Sequence, residues 1–135
     1  MMLRALTSPR PWIVIGAVIC GTAVALGAYG WHDLENDAEA RAVFMLAVQY
    51  QMWHGLALFV VAWRTCENGK PASIAAVAGA CFTAGVLLFS GNLYVFALTG
   101  DVPVIGAAPM GGITFMTGWA LVGVSAVLKT RKAVP

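Results

Sequence analysis

Four long apolar stretches, separated by short polar breaks, leave this chain few ways to fold. They cover residues 12–31, 42–63, 73–98 and 112–128. Each is about as long as the roughly 17–25 residues that a helix needs to cross the hydrocarbon core of a bilayer. The strands of a membrane barrel alternate apolar and polar residues, and none of the four stretches does so. The sequence therefore predicts an all-α integral membrane protein, a bundle of four membrane-spanning helices.

The composition leads to the same class of protein. Of the residues, 60% are hydrophobic and 10% are charged, whereas soluble domains carry about 25% charged residues. No long linker, repeat or low-complexity tract interrupts the chain, so residues 1–135 are expected to form a single transmembrane domain. The first apolar run is longer than the core of a cleaved signal peptide, and we expect it to be retained. A net charge of +2 gives no reason to expect a nucleic-acid partner.

Most of the basic residues fall on one side of the predicted membrane. That side holds Arg4, Arg10, Arg64, Lys70, Lys129, Arg131 and Lys132, whereas Arg41 lies on the other. By the positive-inside rule, both termini are expected in the cytoplasm. An even number of spans also places both termini on one side, so the two arguments agree.

Small residues recur at helical spacing within three of the spans. Lipid tails are as apolar as the helices, so close packing of small side chains is what holds membrane helices together. The expected packing positions are Gly16, Cys20, Ala23, Gly27 and Gly30 in the first span, Ala76, Ala80 and Ala84 in the third, and Gly111, Thr114, Gly118 and Ser125 in the fourth. These faces predict a tightly packed bundle without a wide aqueous channel.

A group of polar side chains falls at a similar depth in the second and third spans. The candidate cluster comprises Gln49, Tyr50, Gln51, His54, Ser90, Asn92 and Tyr94. Unpaired polar groups are costly in hydrocarbon, so these side chains are expected to face each other across the two helices. The favoured pairing joins Asn92 to Gln49 or Gln51, at roughly 0.6–2 kcal/mol for such an interhelical bond.

His54 is the histidine of this cluster, and two interpretations of it are open. An ionisable residue at membrane depth is a functional candidate by default, so His54 could relay protons or bind a ligand. Alternatively, it makes an interhelical hydrogen bond that fixes the register of the helices. We favour the second interpretation, because no further ionisable residue continues a relay at that depth, and we expect the ring to be neutral.

No metal, haem or other cofactor is predicted. His32 lies at the outer end of the first span, and His54 is about 18 Å deep at 1.5 Å per residue, which disfavours ligation of one haem iron by both. We interpret His32 as an interfacial or helix-capping residue. The three cysteines, Cys20, Cys66 and Cys81, lack metal-ligand spacing, and no disulfide is expected among them.

Tryptophans and one loop suggest where the protein meets its surroundings. Trp12, Trp31 and Trp63 lie near span ends, where an interfacial belt is expected, whereas Trp53 lies in mid-span and is expected to contact lipid or a partner subunit. The loop of residues 99–111 is unusually apolar. It is expected to lie on the membrane surface or over the helix ends, and a partner-binding patch is the alternative.

Four segments in order along the chain resemble a known family. They are "ALGAYGWHDL" (25–34), "YQMWHGLAL" (50–58), "LFSGNLYVFALTG" (88–100) and "PMGGITFMTGWAL" (109–121). They look like the successive signatures of the small bacterial membrane family catalogued as domain of unknown function 423, whose eukaryotic relatives include transmembrane protein 256. The resemblance implies a four-span protein of the bacterial inner membrane, without an assigned activity.

The positions that match the family pattern are His32, Tyr50, Gln51, His54, Ser90, Gly91, Tyr94, Gly111, Gly112 and Trp119. The chain departs from that pattern at Gln49, where a charged residue is frequent, and at Asn92, where serine is common. These departures weaken the idea of an ion pair near this site and fit a cluster of hydrogen-bonded amides.

The function expected from these observations is structural. We expect a non-enzymatic accessory subunit that packs, among membrane lipids, against a larger membrane complex, of which a respiratory or other energy-converting complex is one example. The alternative is a carrier or a lipid- or quinone-binding protein that uses His54, Tyr50 and Asn92, because quinones need hydrogen bonds at the ring edge and an apolar slot. No nucleophile with an adjacent base is visible, so an enzyme is not expected.

Overall fold

The computed structural model describes residues 6–67 and 70–128, and every regular element in these ranges is helical. The first span is α1 (Pro9–Asp33) and the second is α2 (Ala38–Thr65). The third is continuous but has three parts: α3 (Lys70–Gly85), a π-helical segment (Val86–Ser90) and α4 (Gly91–Thr99). The fourth is α5 (Ala107–Val127).

All four helical spans are long and apolar enough to cross a membrane, at 25, 28, 29 and 21 residues. The predicted all-α, four-span architecture is therefore confirmed. Four of the basic residues on which the predicted orientation rests lie outside the described residues, namely Arg4, Lys129, Arg131 and Lys132.

Local sequence explains where several helices begin and end. Pro9 stands at the first position of α1, where its missing N–H costs no hydrogen bond. Asp37 caps α2, and its side chain accepts a hydrogen bond of 2.9 Å from the backbone N–H of Ala40. Gly100 ends α4 with a φ of 75°, and Gly106 precedes α5 with a φ of 83°. Both turns use a backbone conformation that favours glycine.

The helices are not equivalent in their packing. α1 packs mainly along α2, and α5 packs along α3 and the π-helical segment. α2 packs against α1, α3 and α4, so α2 and the third span form the centre of the bundle. α1 is the least buried span, with 17% of its most apolar window buried against 44% for α2.

The small face of α1 lies against α2. A Cβ atom built on Gly16 would lie 3.0 Å from the carbonyl oxygen of Gly55, and one built on Gly30 would lie 2.5 Å from the ring of Phe44. Gly27 lies against Val48, and Ala23 is fully buried. A Cβ atom built on Gly55 would lie 2.7 Å from the Cys20 sulfur. All five small residues singled out in α1 therefore lie at this helix interface.

The packing face of α3 differs from the one expected. Ala76 is buried and Ala84 is half-buried, but Ala80 is exposed, so Ala80 is no packing residue within the chain. The buried side of α3 instead uses Gly79 and Phe82. Aromatic rings take the places that small residues leave open: the Trp12 ring lies over Gly79, and Phe82 lies against Gly118 of α5.

One tryptophan is also placed differently. Trp31, Trp53 and Trp63 are exposed, but Trp12 is 2% exposed and belongs to the hydrophobic core. Its indole N–H donates a 2.8 Å hydrogen bond to the carbonyl oxygen of Leu6. The interpretation of Trp12 as an interfacial belt residue is therefore wrong, because Gly79 provides the space in which the indole is buried.

The third span and α5 pack closely at and beside the π-helical segment. A Cβ atom on Gly111 would lie 2.6 Å from the backbone nitrogen of Phe89, and one on Gly85 would lie 2.4 Å from the ring of Phe115. A π-helical turn inserts an extra residue and rotates the following side chains around the helix axis. This rotation decides which polar residues of α4 face α2.

Candidate functional site

Gln51 is the centre of a hydrogen-bonded network that joins three helices. The Tyr94 hydroxyl of α4 donates a 2.8 Å hydrogen bond to Gln51 Oε1. Gln51 Nε2 donates to the Ile19 carbonyl oxygen at 2.9 Å and to Thr22 Oγ1 at 2.8 Å, both in α1. Gln51 itself is 5% exposed. Gln51 and Tyr94 belong to the predicted cluster, whereas Thr22 does not.

The network ends on the backbone of α1. The Thr22 hydroxyl lies 2.8 Å from the Val18 carbonyl oxygen and 3.0 Å from the Ile19 carbonyl oxygen. Its single proton is donated to these carbonyls, while its oxygen accepts from Gln51. Backbone carbonyls do not pass protons on. The arrangement therefore suits the fixing of three helices in register better than proton transport.

Both ring nitrogens of His54 have partners within the chain. Nδ1 lies 2.7 Å from the Tyr50 carbonyl oxygen, which can only accept a hydrogen bond. Nε2 accepts from the indole N–H of Trp119 at 3.3 Å, and an indole nitrogen can only donate. These two partners fix the ring as the neutral tautomer with its proton on Nδ1.

Aromatic rings enclose the same imidazole. The ring of Phe115 stacks on it with centroids 3.5 Å apart and an interplanar angle of 9°. Phe82, Tyr50 and Trp119 follow at centroid distances of 5.6, 5.9 and 6.2 Å. His54 is 5% exposed as a result. Such surroundings favour a neutral ring that stabilises the contact between α2 and α5.

The remaining members of the predicted cluster do not join this site. Gln49 is exposed on the lipid side of α2. Asn92 does not pair with Gln49 or Gln51, and that prediction is wrong: Asn92 Oδ1 accepts a 3.2 Å hydrogen bond from the backbone N–H of Val104. Asn92 and Tyr94 are two residues apart, so they cannot face the same neighbour, and Tyr94 is the one that faces α2.

Ser90 is buried beside this network without a partner. Its side chain is fully buried, and Oγ has no hydrogen bond within the part of the chain that the structure describes. Ser90 ends the π-helical segment, one helical turn before Tyr94.

Arg64 forms a second polar site, although it lies beyond the predicted end of the second span at residue 63. It lies in the last turn of α2 and is 6% exposed. Its guanidinium donates to the backbone carbonyl oxygen of Ser125, lies 3.4 Å from Ser125 Oγ, and pairs with the carboxylate of Glu67. Since Ser125 is in the last turn of α5, Arg64 satisfies a carbonyl that this helix leaves free.

The apolar run ends at Trp63, and for this reason the predicted span ends two residues before α2 does. The spacing of three residues between Arg64 and Glu67 is typical of an ion pair on a helix, and this spacing indicates that the helix continues beyond Trp63.

A groove lies near the Thr99 end of the third span, beside the loop of residues 100–106 (the outer loop). One wall is lined by Leu87, Leu88, Asn92 and Val95 of the third span, and the other by Pro103 and Val104 of the outer loop. The groove has a volume of about 230 Å³. Among the described residues, no three histidine, cysteine or acidic side chains come together to hold a metal ion.

Comparison with known proteins gives the family. The family described as "Protein of unknown function (DUF423)" matches residues 26–112. The UPF0382 membrane protein YwdK of Bacillus subtilis is 39% identical over 121 residues, which cover 87% of this chain and 97% of the relative. The UPF0382 inner membrane protein YgdD of Escherichia coli K12 is 35% identical over 127 residues, covering 91% and 95%.

No solved structure matches the chain. The family resemblance drawn from the four sequence segments is confirmed, and with four apolar helices the protein is an integral membrane protein. The chain belongs to the DUF423 family of small membrane proteins.

Proposed function

We propose that this protein is a non-catalytic membrane subunit whose first helix packs against a transmembrane helix of a larger assembly. The observation that carries the proposal is the outward face of α1. α1 packs mainly on one neighbour, and small residues occupy its other side at helical spacing. A respiratory or other energy-converting complex remains the kind of assembly that we expect.

The outward face of α1 comprises Ala17, Gly21, Ala25 and Ala28, all of them exposed. A Cβ atom on Gly21 would have no protein atom within 4 Å. Small residues spaced by three or four let two helix backbones approach closely, which is the main source of helix association in lipid. The opposite face of α1 uses the same chemistry to hold α2, so one helix carries two faces suited to helix packing.

The polar residues support a structural role. His54 has both nitrogens bonded within the chain, and the Gln51 network ends on backbone carbonyls. Neither arrangement offers a free donor, acceptor or nucleophile of the kind that an enzyme uses. Both arrangements join helices, which is what a stable packing module needs.

The rival proposal, a lipid or quinone site formed by His54, Tyr50 and Asn92, receives less support. The hydrogen bonds of His54 are taken by Tyr50 and Trp119. Asn92 bonds to the outer loop instead of facing the histidine. A ligand at His54 would have to displace the Trp119 indole from Nε2.

For location, we propose the bacterial inner membrane with both termini in the cytoplasm. A relative that covers almost the whole chain is named an inner membrane protein. Arg10 and the buried Arg64 lie at the same end of the bundle, whereas Arg41 lies at the other, which is the asymmetry that the positive-inside rule uses.

The test is purification in a gentle detergent followed by mass spectrometry of what co-purifies. Wild type is compared with Gly21→Leu on the outward face of α1 and with Gly123→Leu on α5. A Cβ atom meets no protein atom within 4 Å at either glycine, so both variants should fold. We expect a stoichiometric membrane-protein partner that is lost with Gly21→Leu and kept with Gly123→Leu. A wild-type protein that purifies as a lone monomer would sink the proposal.

A further inference from the structure

The groove beneath the outer loop is lined by one polar side chain, Asn92, whose amide oxygen has a hydrogen-bond partner and whose amide nitrogen has none among the described residues. Asn92 is 9% exposed and lines the groove among apolar neighbours. Its Oδ1 accepts from the Val104 N–H. Its Nδ2 carries two N–H donors and donates to none of the described residues. Nδ2 is not among the buried polar atoms that lack a partner in the described part of the chain, so it remains accessible to a molecule in the groove. An amide donor without a partner is costly in apolar surroundings, so a ligand that supplies an acceptor would be stabilised here.

The depth of Asn92 identifies which acceptors can reach it. The third span has 29 residues, or about 43 Å at 1.5 Å per residue, which matches the roughly 40–45 Å of a bilayer with its headgroups. Asn92 precedes the end of this span at Thr99 by seven residues, about 10 Å. That depth is close to the boundary between the headgroups and the hydrocarbon, where the ester carbonyls of glycerolipids lie.

The walls of the groove suit a hydrocarbon chain. Leu87, Leu88 and Val95 offer apolar surface beside Asn92, and Pro103 and Val104 close the groove on the loop side. The loop presents Val102 and Ile105 outward, with Ile105 94% exposed, so the groove opens towards an apolar environment. A ligand suited to this groove therefore has a hydrogen-bond acceptor for Asn92 Nδ2 and an apolar chain next to that acceptor.

We propose that this groove binds one glycerophospholipid, whose ester carbonyl accepts a hydrogen bond from Asn92 Nδ2 and whose acyl chain lies along Leu87 and Leu88, which are deeper in the span than Asn92. The site is separate from the outward face of α1, so it goes beyond the proposed packing function. The proposed lipid site therefore uses Asn92, whose amide donors have no partner among the described residues. It does not use His54, because both ring nitrogens of His54 have partners.

The test compares two phosphatidylglycerols that differ in one feature: a diacyl lipid with ester carbonyls and its dialkyl ether analogue without them. Each is titrated into the delipidated protein in detergent, and native mass spectrometry measures the dissociation constant of the first bound lipid. We expect the ester lipid to bind about three- to tenfold more tightly than the ether lipid, the worth of one hydrogen bond.

Two variants assign the effect to the groove. Asn92→Asp, measured at a pH at which its carboxyl is ionised, keeps the acceptor for Val104 but removes the donors, so it should abolish the preference for the ester lipid. Gly91→Leu puts a large side chain into the groove from a position where a Cβ atom has open space, so it should weaken both lipids equally. Gly123→Leu is the control for a new leucine outside the groove, and thermal unfolding confirms that each variant folds.

Equal affinity of the wild type for the ester and ether lipids would overturn the proposal. So would an ester preference that Asn92→Asp retains. A ubiquinone that binds more tightly than the ester lipid and is lost with Asn92→Asp would give the groove to a quinone instead. None of these results depends on whether a protein partner is found.

Discussion

Gln49 and Gln51 lie two residues apart on α2 but meet different surroundings. Gln51 makes three hydrogen bonds to α1 and α4, whereas Gln49 is exposed to lipid. We predict that Gln51→Leu lowers the free energy of unfolding by roughly 1–3 kcal/mol, because it leaves the half-buried Tyr94 without an acceptor for its hydroxyl. Denaturant unfolding in detergent, followed by helical circular dichroism, measures the change.

Gln49→Leu is the matched control for this prediction. It makes the same chemical change on the same helix, and it should leave stability unchanged or raise it, because it removes a polar group from lipid. Tyr94→Phe combined with Gln51→Leu should cost less than the sum of the two single substitutions, since both remove the same bond. Equal losses from Gln49→Leu and Gln51→Leu would contradict the network.

His54 gives a prediction about a single proton. The Tyr50 carbonyl and the Trp119 indole together fix the neutral tautomer with the proton on Nδ1. Nitrogen-15 NMR of histidine-labelled protein in detergent should show this tautomer for His54, with the exposed His32 as the internal reference. Trp119→Phe removes the donor to Nε2 and should shift the Nε2 resonance, whereas the Tyr50 carbonyl still holds the proton on Nδ1. A wild-type ring protonated on Nε2 alone would contradict this assignment.

At the scale of the helix, two neighbouring glycines of α5 show how closely the fourth span packs. A Cβ atom on Gly111 would lie 2.6 Å from the backbone nitrogen of Phe89, whereas one on Gly112 meets nothing within 4 Å. We predict that Gly111→Ala destabilises the protein by about 1–3 kcal/mol, because the backbones of α5 and the π-helical segment must separate.

Gly112→Ala should be neutral or stabilise the helix by up to about 1 kcal/mol, because alanine loses less conformational entropy than glycine on folding. Thermal unfolding of the two variants in the same detergent checks the contrast. The interpretation of close packing at Gly111 fails if both variants unfold at the temperature of the wild type.

How far the sequence predicts each element depends on how regular that element is. α1 is regular, and its small face follows from spacing alone. The third span contains a π-helical turn, which no hydrophobic pattern indicates and which rotates Asn92 around the helix axis relative to a regular helix. Ala80 precedes this turn, and its exposure has no explanation there. Trp12 and Arg64 were misplaced for a different reason: both are long side chains at span ends, and whether they are buried depends on residues of another helix.

At the scale of the whole molecule, the two halves of the bundle are held together differently. Along α1 the contacts to α2 are made by glycine, alanine and cysteine, supplemented by the amide of Gln51. Between the third span and α5, aromatic rings fit over glycines, and Arg64 joins the C-terminal ends of α2 and α5. The small-residue contact leaves α1 with a second face of the same kind, which is why the proposed partner is assigned to that helix.

The orientation of the whole molecule can be tested with a native residue. Cys66 follows the C-terminal end of α2 and is exposed, whereas Cys20 and Cys81 lie half-buried within the spans. A membrane-impermeant maleimide should label Cys66 in inverted vesicles but not in spheroplasts if this end faces the cytoplasm, as the excess of basic residues predicts. A Cys66→Ala protein that carries Asp101→Cys in the opposite loop should show the reverse pattern. Labelling of Cys66 in sealed spheroplasts would place both termini outside the cell and contradict the positive-inside argument.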